Sequence, residues 1–199
     1  MKYPWTMYTL KKKRSSNTKN PTHRGPIWIV DLSNQYWTAR LTRSNINYKK
    51  ELIKIICIYV PNGNPVDTDK YQYKIKWLKS FERFLVDQNK LKNKVIIGGD
   101  FNIIPNEVDV YNPEDWENDA LYRIEIRKFF RKILNEGYED AFRLINKEPH
   151  NYTFWDYQYG SFEKNKGLRI DHFLLSKNII VSGVDASGTN FGKPGYAHF

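Results

Sequence analysis

The residues best suited to chemistry in this sequence are Asp100 and Asn102, which follow the apolar run Val95–Ile97 and two glycines. The three β-branched residues predict a short buried strand that the glycines end. Spacing of two on extended backbone places Asp100 and Asn102 on one side, with Phe101 pointing into the core. A carboxylate and a carboxamide at a strand's carboxyl end suit a hydrolytic site that holds a metal ion or a water. The alternative is an Asx turn, in which Asp100 only caps its own backbone.

A second candidate is Tyr59, which ends another apolar run directly before Pro61-Asn62-Gly63. A phenol at the end of a rigid strand can donate a hydrogen bond to a phosphate oxygen. The alternative is an amphipathic core tyrosine with no role in chemistry.

Residues 152–157 hold four aromatic side chains in six positions. On a strand, alternation predicts that one face packs while the other meets a base or a sugar. The two faces are Tyr152, Phe154 and Asp156, and Thr153, Trp155 and Tyr157.

An acid stands beside an imidazole where Asp171 precedes His172. Neighbouring residues on a strand point to opposite faces, so these two are not expected to form a hydrogen-bonded dyad with each other.

The composition of the 199-residue chain predicts one domain with a core that needs no disulfides. Its single cysteine, Cys57, lies in an apolar run and is expected to be a small core residue in a reducing compartment. No apolar run approaches the roughly 20 residues that span a bilayer, so we expect a cytoplasmic protein without membrane attachment.

The net charge of +10 comes entirely from the N-terminal third. Residues 1–60 contain twelve Lys and Arg against Asp31 and Glu51, whereas residues 61–199 contain twenty of each sign. Residues 1–26 show no helix or strand period, which predicts a disordered basic arm before a domain over residues 27–199. A uniformly basic binding face is not indicated.

Hydrophobic periodicity predicts an alternation of strands and helices, typical of a layered α/β or α+β domain. An acidic surface loop is expected over Glu107–Asp119. The predicted strands are Ile27–Val30, Trp37–Thr42, Ile53–Val60 (covered on both faces), the run from Val95, Tyr152–Tyr157 and Leu168–Ser176, and the predicted helices are Lys70–Val86 and Asp119–Glu136.

Four of these stretches occur in the order and approximate spacing of the exonuclease III and abasic-site (AP) endonuclease family, which the chain resembles from about residue 53 to residue 176. The resemblance is based on the motifs Tyr59-Val60-Pro61-Asn62-Gly63, Gly99-Asp100-Phe101-Asn102, residues 152–157 and residues 167–172. Two further similar stretches, Asp109-Val110-Tyr111-Asn112-Pro113 and Asp140-Ala141-Phe142-Arg143, lie between them.

The resemblance implies a DNase I-like four-layer sandwich, in which two mixed β-sheets are flanked by helices and the first sheet is incomplete. It also implies hydrolysis of phosphodiester bonds with Mg²⁺, or Mn²⁺ in its place, held at Asp100 and Asn102. The implied substrate is double-stranded DNA with abasic sites or 3′ ends, bound by a monomer.

By position, the resemblance also implies roles for individual residues. Asp100 would align or deprotonate the attacking water, and Asn102 would orient the water or the phosphate. Tyr59 would contact the phosphate, and Asp171 would hold a partner histidine. The residues implied in substrate binding are Phe154, Trp155, Leu168 and Arg169.

The sequence departs from the family pattern at both ends. The family's opening asparagine strand and metal-binding glutamate have no counterpart before Asp31, and Tyr196 and Ala197 stand where the family has an acid and a histidine. His198 follows one residue late, which on a strand turns it to the other face. We therefore expect a partial domain whose activity is impaired, and two alternatives stay open. One is a catalytically inactive nucleic-acid-binding remnant, and the other is a phosphatase of the same superfamily.

Overall fold

The computed structural model describes residues 28–31, 40–48, 51–157 and 160–180. The predictions for residues 1–26 and for Tyr196, Ala197 and His198 lie outside these ranges. The strands are β1 (Trp28–Asp31), β2 (Arg40–Tyr48), β3 (Glu51–Tyr59), β4 (Lys94–Asp100), β5 (Tyr138–Asp140), β6 (Phe154–Trp155), β7 (Gly167–Leu168) and β8 (Asp171–Ser176). The helices are α1 (Asp69–Lys90), α2 (Ile124–Asn135), α3 (Ala141–Ile145) and α4 (Lys177–Ile180), with 3₁₀ turns at Glu107–Asp109 and Pro113–Trp116.

Six strands form a mixed sheet in the order β1-β2-β3-β4-β8-β5, and β6 pairs with β7 in a small second sheet. β3 and β4 are parallel and connected through α1, whereas the other neighbours in the large sheet are antiparallel. The parallel pair at the centre needs a helical crossover, which α1 supplies. The predicted class, a mixed sheet flanked by helices, is confirmed.

The core lies between the large sheet and the apolar faces of α1 and α2. Phe101 is fully buried there, as predicted, and its ring meets Phe81 and Phe130 edge to face. The helical residues that fill the core recur at spacings of three and four: Trp77, Leu78, Phe81 and Leu85 from α1, and Ile126, Phe129, Phe130 and Ile133 from α2.

Side chains exposed on the opposite face of the sheet contradict two predictions. Ile56 and Ile58 are buried under the helices, but Cys57 and Tyr59 alternate with them and are exposed. Because side chains on a strand point alternately to either side, only every second residue of β3 reaches the core. Cys57 is therefore not a core residue, and the described residues do not cover β3 on both faces.

Element ends also differ from the sequence predictions. Helix α1 continues to Lys90, and α2 begins only at Ile124, after a turn in which the Asp119 carboxylate accepts a hydrogen bond from Leu121 N. The predicted strand over residues 152–157 shrinks to Phe154–Trp155, and β5 and α3 are additional elements. No helix within the described ranges is both long and apolar enough to cross a membrane.

Candidate active site at the carboxyl ends of β3 and β4

Three of the predicted site residues lie in one row across the large sheet. Tyr59 at the end of β3 is in register with Asp100 at the end of β4, and Asp100 is in register with Asp171 at the start of β8. Neighbouring strands are about 4.8 Å apart, so the row spans two strand spacings, roughly 10 Å. Tyr59 and Asp171 are exposed on the sheet face opposite the helices. The structure therefore brings together a phenol and two carboxylates.

Asn102 joins this row from the turn after β4. Its backbone is left-handed, with φ of 49°, and its side chain is buried. Its Nδ2 donates to Val60 O at 2.8 Å and to Asp100 Oδ2 at 3.2 Å. The Asn102 N–H also donates to Asp100 Oδ1 at 2.8 Å, which is the Asx turn that the sequence left as an alternative. The two interpretations are therefore compatible: Asp100 accepts the hydrogen bond of an Asx turn, and it also lies in the row with Tyr59 and Asp171.

Asn62 supplies a further polar group, for which the sequence predicted no role. It follows Pro61 in the loop after β3, and its Nδ2 donates to Asn102 Oδ1 at 3.3 Å. Asn62 is exposed, so its amide connects the buried Asn102 to the solvent side of the site. The signal that could have indicated it is the Pro-Asn-Gly turn beside Tyr59.

The electrostatics of the row favour a positive partner. Burial raises the pKa of Asp100 to about 6 and Asp171 adds to the rise, against the lowering effects of the hydrogen bonds from Asn102 and the charge of Lys74. Desolvation of its carboxyl group also raises the pKa of Asp171, and a hydrogen bond with Thr153 lowers it in part. Two carboxyl groups on adjacent strands thus carry negative charge that is only partly compensated.

This donor set fits a hard cation that keeps several waters. Mg²⁺ is typically bound through one or two carboxylates, with water and phosphate oxygens completing its shell. Asp100 and Asp171 offer such oxygens. Asn102, the second ligand that the resemblance implies, turns its N–H toward Asp100 and its oxygen toward Asn62, so Asp171 takes its place as the candidate ligand beside Asp100. Within the described ranges, no cluster of three or more His, Cys, Asp or Glu side chains is placed to hold a metal ion.

Phe154, Trp155 and Leu168 lie in the small sheet, and Thr153, directly before it, accepts a hydrogen bond from Asp171 N at 3.0 Å. Phe154 is in register with Leu168, and 39% of the Phe154 side chain is exposed while Leu168 is buried. Trp155 packs edge to face against Tyr152 and Phe162. Of these three residues, which the resemblance implies in substrate binding, Phe154 alone is exposed. The predicted division of residues 152–157 into two faces fails because only two of them are in a strand.

Arg169 does not face a substrate, which corrects its predicted role. It is 2% exposed, and its Nε and Nη2 donate to Asp109 at 2.7 and 3.2 Å while its Nη1 donates to Asp140 at 2.8 Å. Arg143 adds a second cation to Asp109. The guanidinium is therefore committed to a buried ion network, which ties the stretch before β8 to α3 and to the 107–109 turn.

His172 belongs to the same buried network. One ring nitrogen lies 3.1 Å from Arg169 Nη1, and Nε2 lies 2.8 Å from Ile103 O. Burial and the charge of Arg169 lower its pKa to about 4, so the ring is neutral at pH 7. Asp171 points to the other side of β8, which confirms that Asp171 and His172 are not a dyad. The histidine that the resemblance implies for Asp171 is absent from the described residues around it.

Comparison with known proteins places this chain in a family. The model of the Endonuclease/Exonuclease/phosphatase family matches residues 7–189, which is most of the chain. The chain belongs to the endonuclease/exonuclease/phosphatase family. Within that family, it is 35% identical over 130 residues to a DNA-(apurinic or apyrimidinic site) endonuclease of Dictyostelium discoideum, an alignment that covers 64% of this chain and 36% of that protein. It is 28% identical to an exodeoxyribonuclease of Bacillus subtilis, over 71% of this chain and 56% of that protein.

Two solved structures share the fold of this chain. An AP endonuclease from Archaeoglobus fulgidus superposes with a TM-score of 0.63 at 32% identity, over 69% of this chain and 52% of that one. A 3′ phosphatase from Neisseria, bound to a product DNA hairpin, superposes with a TM-score of 0.71 at 26% identity, over 80% and 61%. The recognised resemblance to exonuclease III and AP endonucleases is confirmed, and this chain spans about one third to three fifths of the length of these relatives.

Proposed function

We propose that this chain is a DNA-repair hydrolase of the exonuclease III and AP endonuclease type, which cleaves phosphodiester bonds in double-stranded DNA at abasic sites or 3′ ends. The observation that carries the proposal is the row of Tyr59, Asp100 and Asp171, with Asn102 hydrogen-bonded to Asp100 behind it. The names of the similar proteins support DNA as the substrate class.

Each member of the row has a defined task in this proposal. Asp100 is ionised at pH 7, so it can accept the proton of an attacking water or hold a cation beside it. Asn102 fixes the orientation of that carboxylate through two donated hydrogen bonds. The exposed Tyr59 hydroxyl donates to a phosphate oxygen as negative charge develops there.

The proposed cofactor is Mg²⁺, with Mn²⁺ as a substitute, held by Asp100 and Asp171. When bound, it would neutralise negative charge on the phosphate and on the leaving oxygen. The exposed ring of Phe154 offers a wall for an unstacked abasic sugar, which leaves the helix more cheaply than an intact nucleotide. We further propose that the chain acts as a monomer in the cytoplasm, where its free Cys57 stays reduced.

Cleavage of defined duplexes tests this proposal. The substrates are an abasic-site duplex, a duplex with recessed 3′ ends and a duplex with a 3′-phosphorylated end, each with Mg²⁺, with Mn²⁺ or with a chelator. We expect metal-dependent cleavage that falls by about 10²–10⁴-fold in Asp100→Ala and in Tyr59→Phe. The control is Asp87→Ala, which removes an exposed carboxylate from the far end of α1.

The outcomes separate the alternatives. Equal cleavage by wild type and Asp100→Ala refutes the proposal. Salt-sensitive binding of the abasic duplex without cleavage assigns the chain to an inactive nucleic-acid-binding remnant instead. Release of phosphate from a 3′-phosphorylated end without cleavage of the backbone assigns it to a phosphatase.

A further inference from the structure

A lysine is buried directly beneath the candidate site. Lys74 projects from α1 and is 0% exposed. Its Nζ donates to Asn62 O at 2.9 Å, to Asn102 O at 2.7 Å and to Ala120 O at 2.8 Å. An ammonium group has three N–H donors, so three backbone carbonyls satisfy it completely.

The three carbonyls belong to three separate loops, and two of these loops carry site residues. Asn62 lies in the loop after β3, Asn102 lies in the turn after β4, and Ala120 precedes α2. The first and third loops are joined independently, since the Asn64 amide donates to Asp119 at 3.0 Å and accepts from Ala120 N at 3.1 Å. Lys74 is the cation at which all three loops meet.

Gly63 makes room for this side chain. Its φ is +90°, and a Cβ there would lie 2.6 Å from Lys74 Cδ and 3.2 Å from Lys74 Cβ. The glycine of the Pro-Asn-Gly turn thus lets the aliphatic stem of Lys74 pass beneath the loop. The loop conformation beside Tyr59 and the path of the lysine depend on each other.

The buried position disfavours the charged form of Lys74. Burial lowers the pKa of Lys74 to about 7, while the nearby charges of Asp119 and Asp100 act in the opposite direction. An apolar residue would fill a core position without that desolvation, so packing alone does not account for an ammonium here. The ammonium instead orients the backbone, because its three N–H donors hold three carbonyl groups around one point.

We propose that Lys74 is a positioning residue for the reaction, and this rests on the proposed function. By holding the carbonyls of Asn62 and Asn102, it fixes the backbone from which the Asn62 amide donates to Asn102 and the Asn102 amide donates to Asp100. Loss of the ammonium frees the two loops, and the amides no longer hold the carboxylate in one orientation. The exposed ring of Phe154, the proposed wall for an abasic sugar, lies outside these two loops and is left unchanged.

The test is Lys74→Met, which keeps the length of the stem and removes the donors. Its matched control is Lys79→Met, which removes an exposed positive charge from the same helix. We expect kcat on the abasic duplex to fall by about 10²-fold in Lys74→Met, with KM changed by less than about threefold and Lys79→Met unchanged. Gly63→Ala disturbs the same contact from the loop side and is expected to lower kcat in the same way.

Amide hydrogen exchange gives a readout that does not need activity. In Lys74→Met, the amides of Asn64, Asn102 and Ala120 are expected to exchange faster, while those of β5 and β8 keep their protection. Faster exchange throughout the domain, or a rise in KM without a fall in kcat, overturns the proposal.

Two further outcomes are also decisive. If Lys74→Met does not fold, a Gly63→Ala protein with wild-type kcat overturns the proposal, and one with lowered kcat and unchanged KM supports it. If the wild type cleaves no DNA, the proposed function fails, and the exchange pattern still decides whether Lys74 fixes the loops.

Discussion

Replacement of Arg169 by methionine removes the central cation of the buried network and leaves its partners in place. Arg169, Asp109 and Asp140 are 2%, 0% and 6% exposed, so water cannot replace the lost charge. Breaking a buried ion pair by removing one partner costs about 3–5 kcal/mol. Asp109 keeps Arg143, and Asp140 keeps two backbone N–H donors at the start of α3. We therefore expect a loss of about 3–4 kcal/mol in the free energy of unfolding, the lower part of that range.

The pH dependence of this loss distinguishes charge from packing. Burial alone would raise the pKa of Asp109, but the hydrogen bonds and charges of Arg169 and Arg143 outweigh it and hold the pKa below its ordinary value. A lowered pKa contributes stability that is present above the pKa of the unfolded chain and is lost as the pH falls through the folded pKa. The difference between wild type and Arg169→Met should therefore be largest near pH 7 and shrink below about pH 4.

Urea unfolding followed by tryptophan fluorescence measures this difference. Arg131→Met, an exposed position on α2, is the control and should stay within about 0.5 kcal/mol of wild type. A loss below about 1 kcal/mol at pH 7 would refute the assignment of a buried charge to Arg169. So would a loss of the same size at every pH, because an unchanging difference indicates packing alone.

Three further predictions concern the site and the core. Asp171→Asn should lower the pKa of Asp100 from about 6, because the substitution removes a like charge. A carbon-13 titration of the carboxyl groups in metal-free protein measures this pKa, and an unchanged midpoint contradicts the prediction. Gly99→Ala should destabilise the fold by at least about 2 kcal/mol in urea unfolding, because the φ of Gly99 is +138° and a Cβ there would lie 2.1 Å from a carbonyl oxygen of β3. A variant with wild-type stability would show that β3 and β4 separate easily. Tyr138→Phe should lower the free energy of unfolding by about 1–2 kcal/mol in the same measurement, because the buried Tyr138 hydroxyl donates to Leu85 O. An unchanged free energy of unfolding would mean that water satisfies that carbonyl.

Local patterns were sufficient to predict the central elements of this fold. The β-branched run before Asp100 and the apolar spacing of α1 and α2 specify a buried strand and two helices, because side-chain periods of 2 and 3.6 follow from backbone geometry alone. The same local geometry separates Asp171 from His172 and sends Phe101 into the core. Ordered motifs were enough to indicate the family.

Tertiary structure decided which of these residues meet. The register of β3, β4 and β8 aligns Tyr59, Asp100 and Asp171, and no local pattern specifies the register between residues more than 40 positions apart. Burial likewise depends on what covers each strand face, which is why Cys57 is exposed and Arg169 is buried. Spacing along the chain determined which side of its own element a residue occupies. Only packing between elements determined whether that side meets solvent, a counter-charge or a substrate.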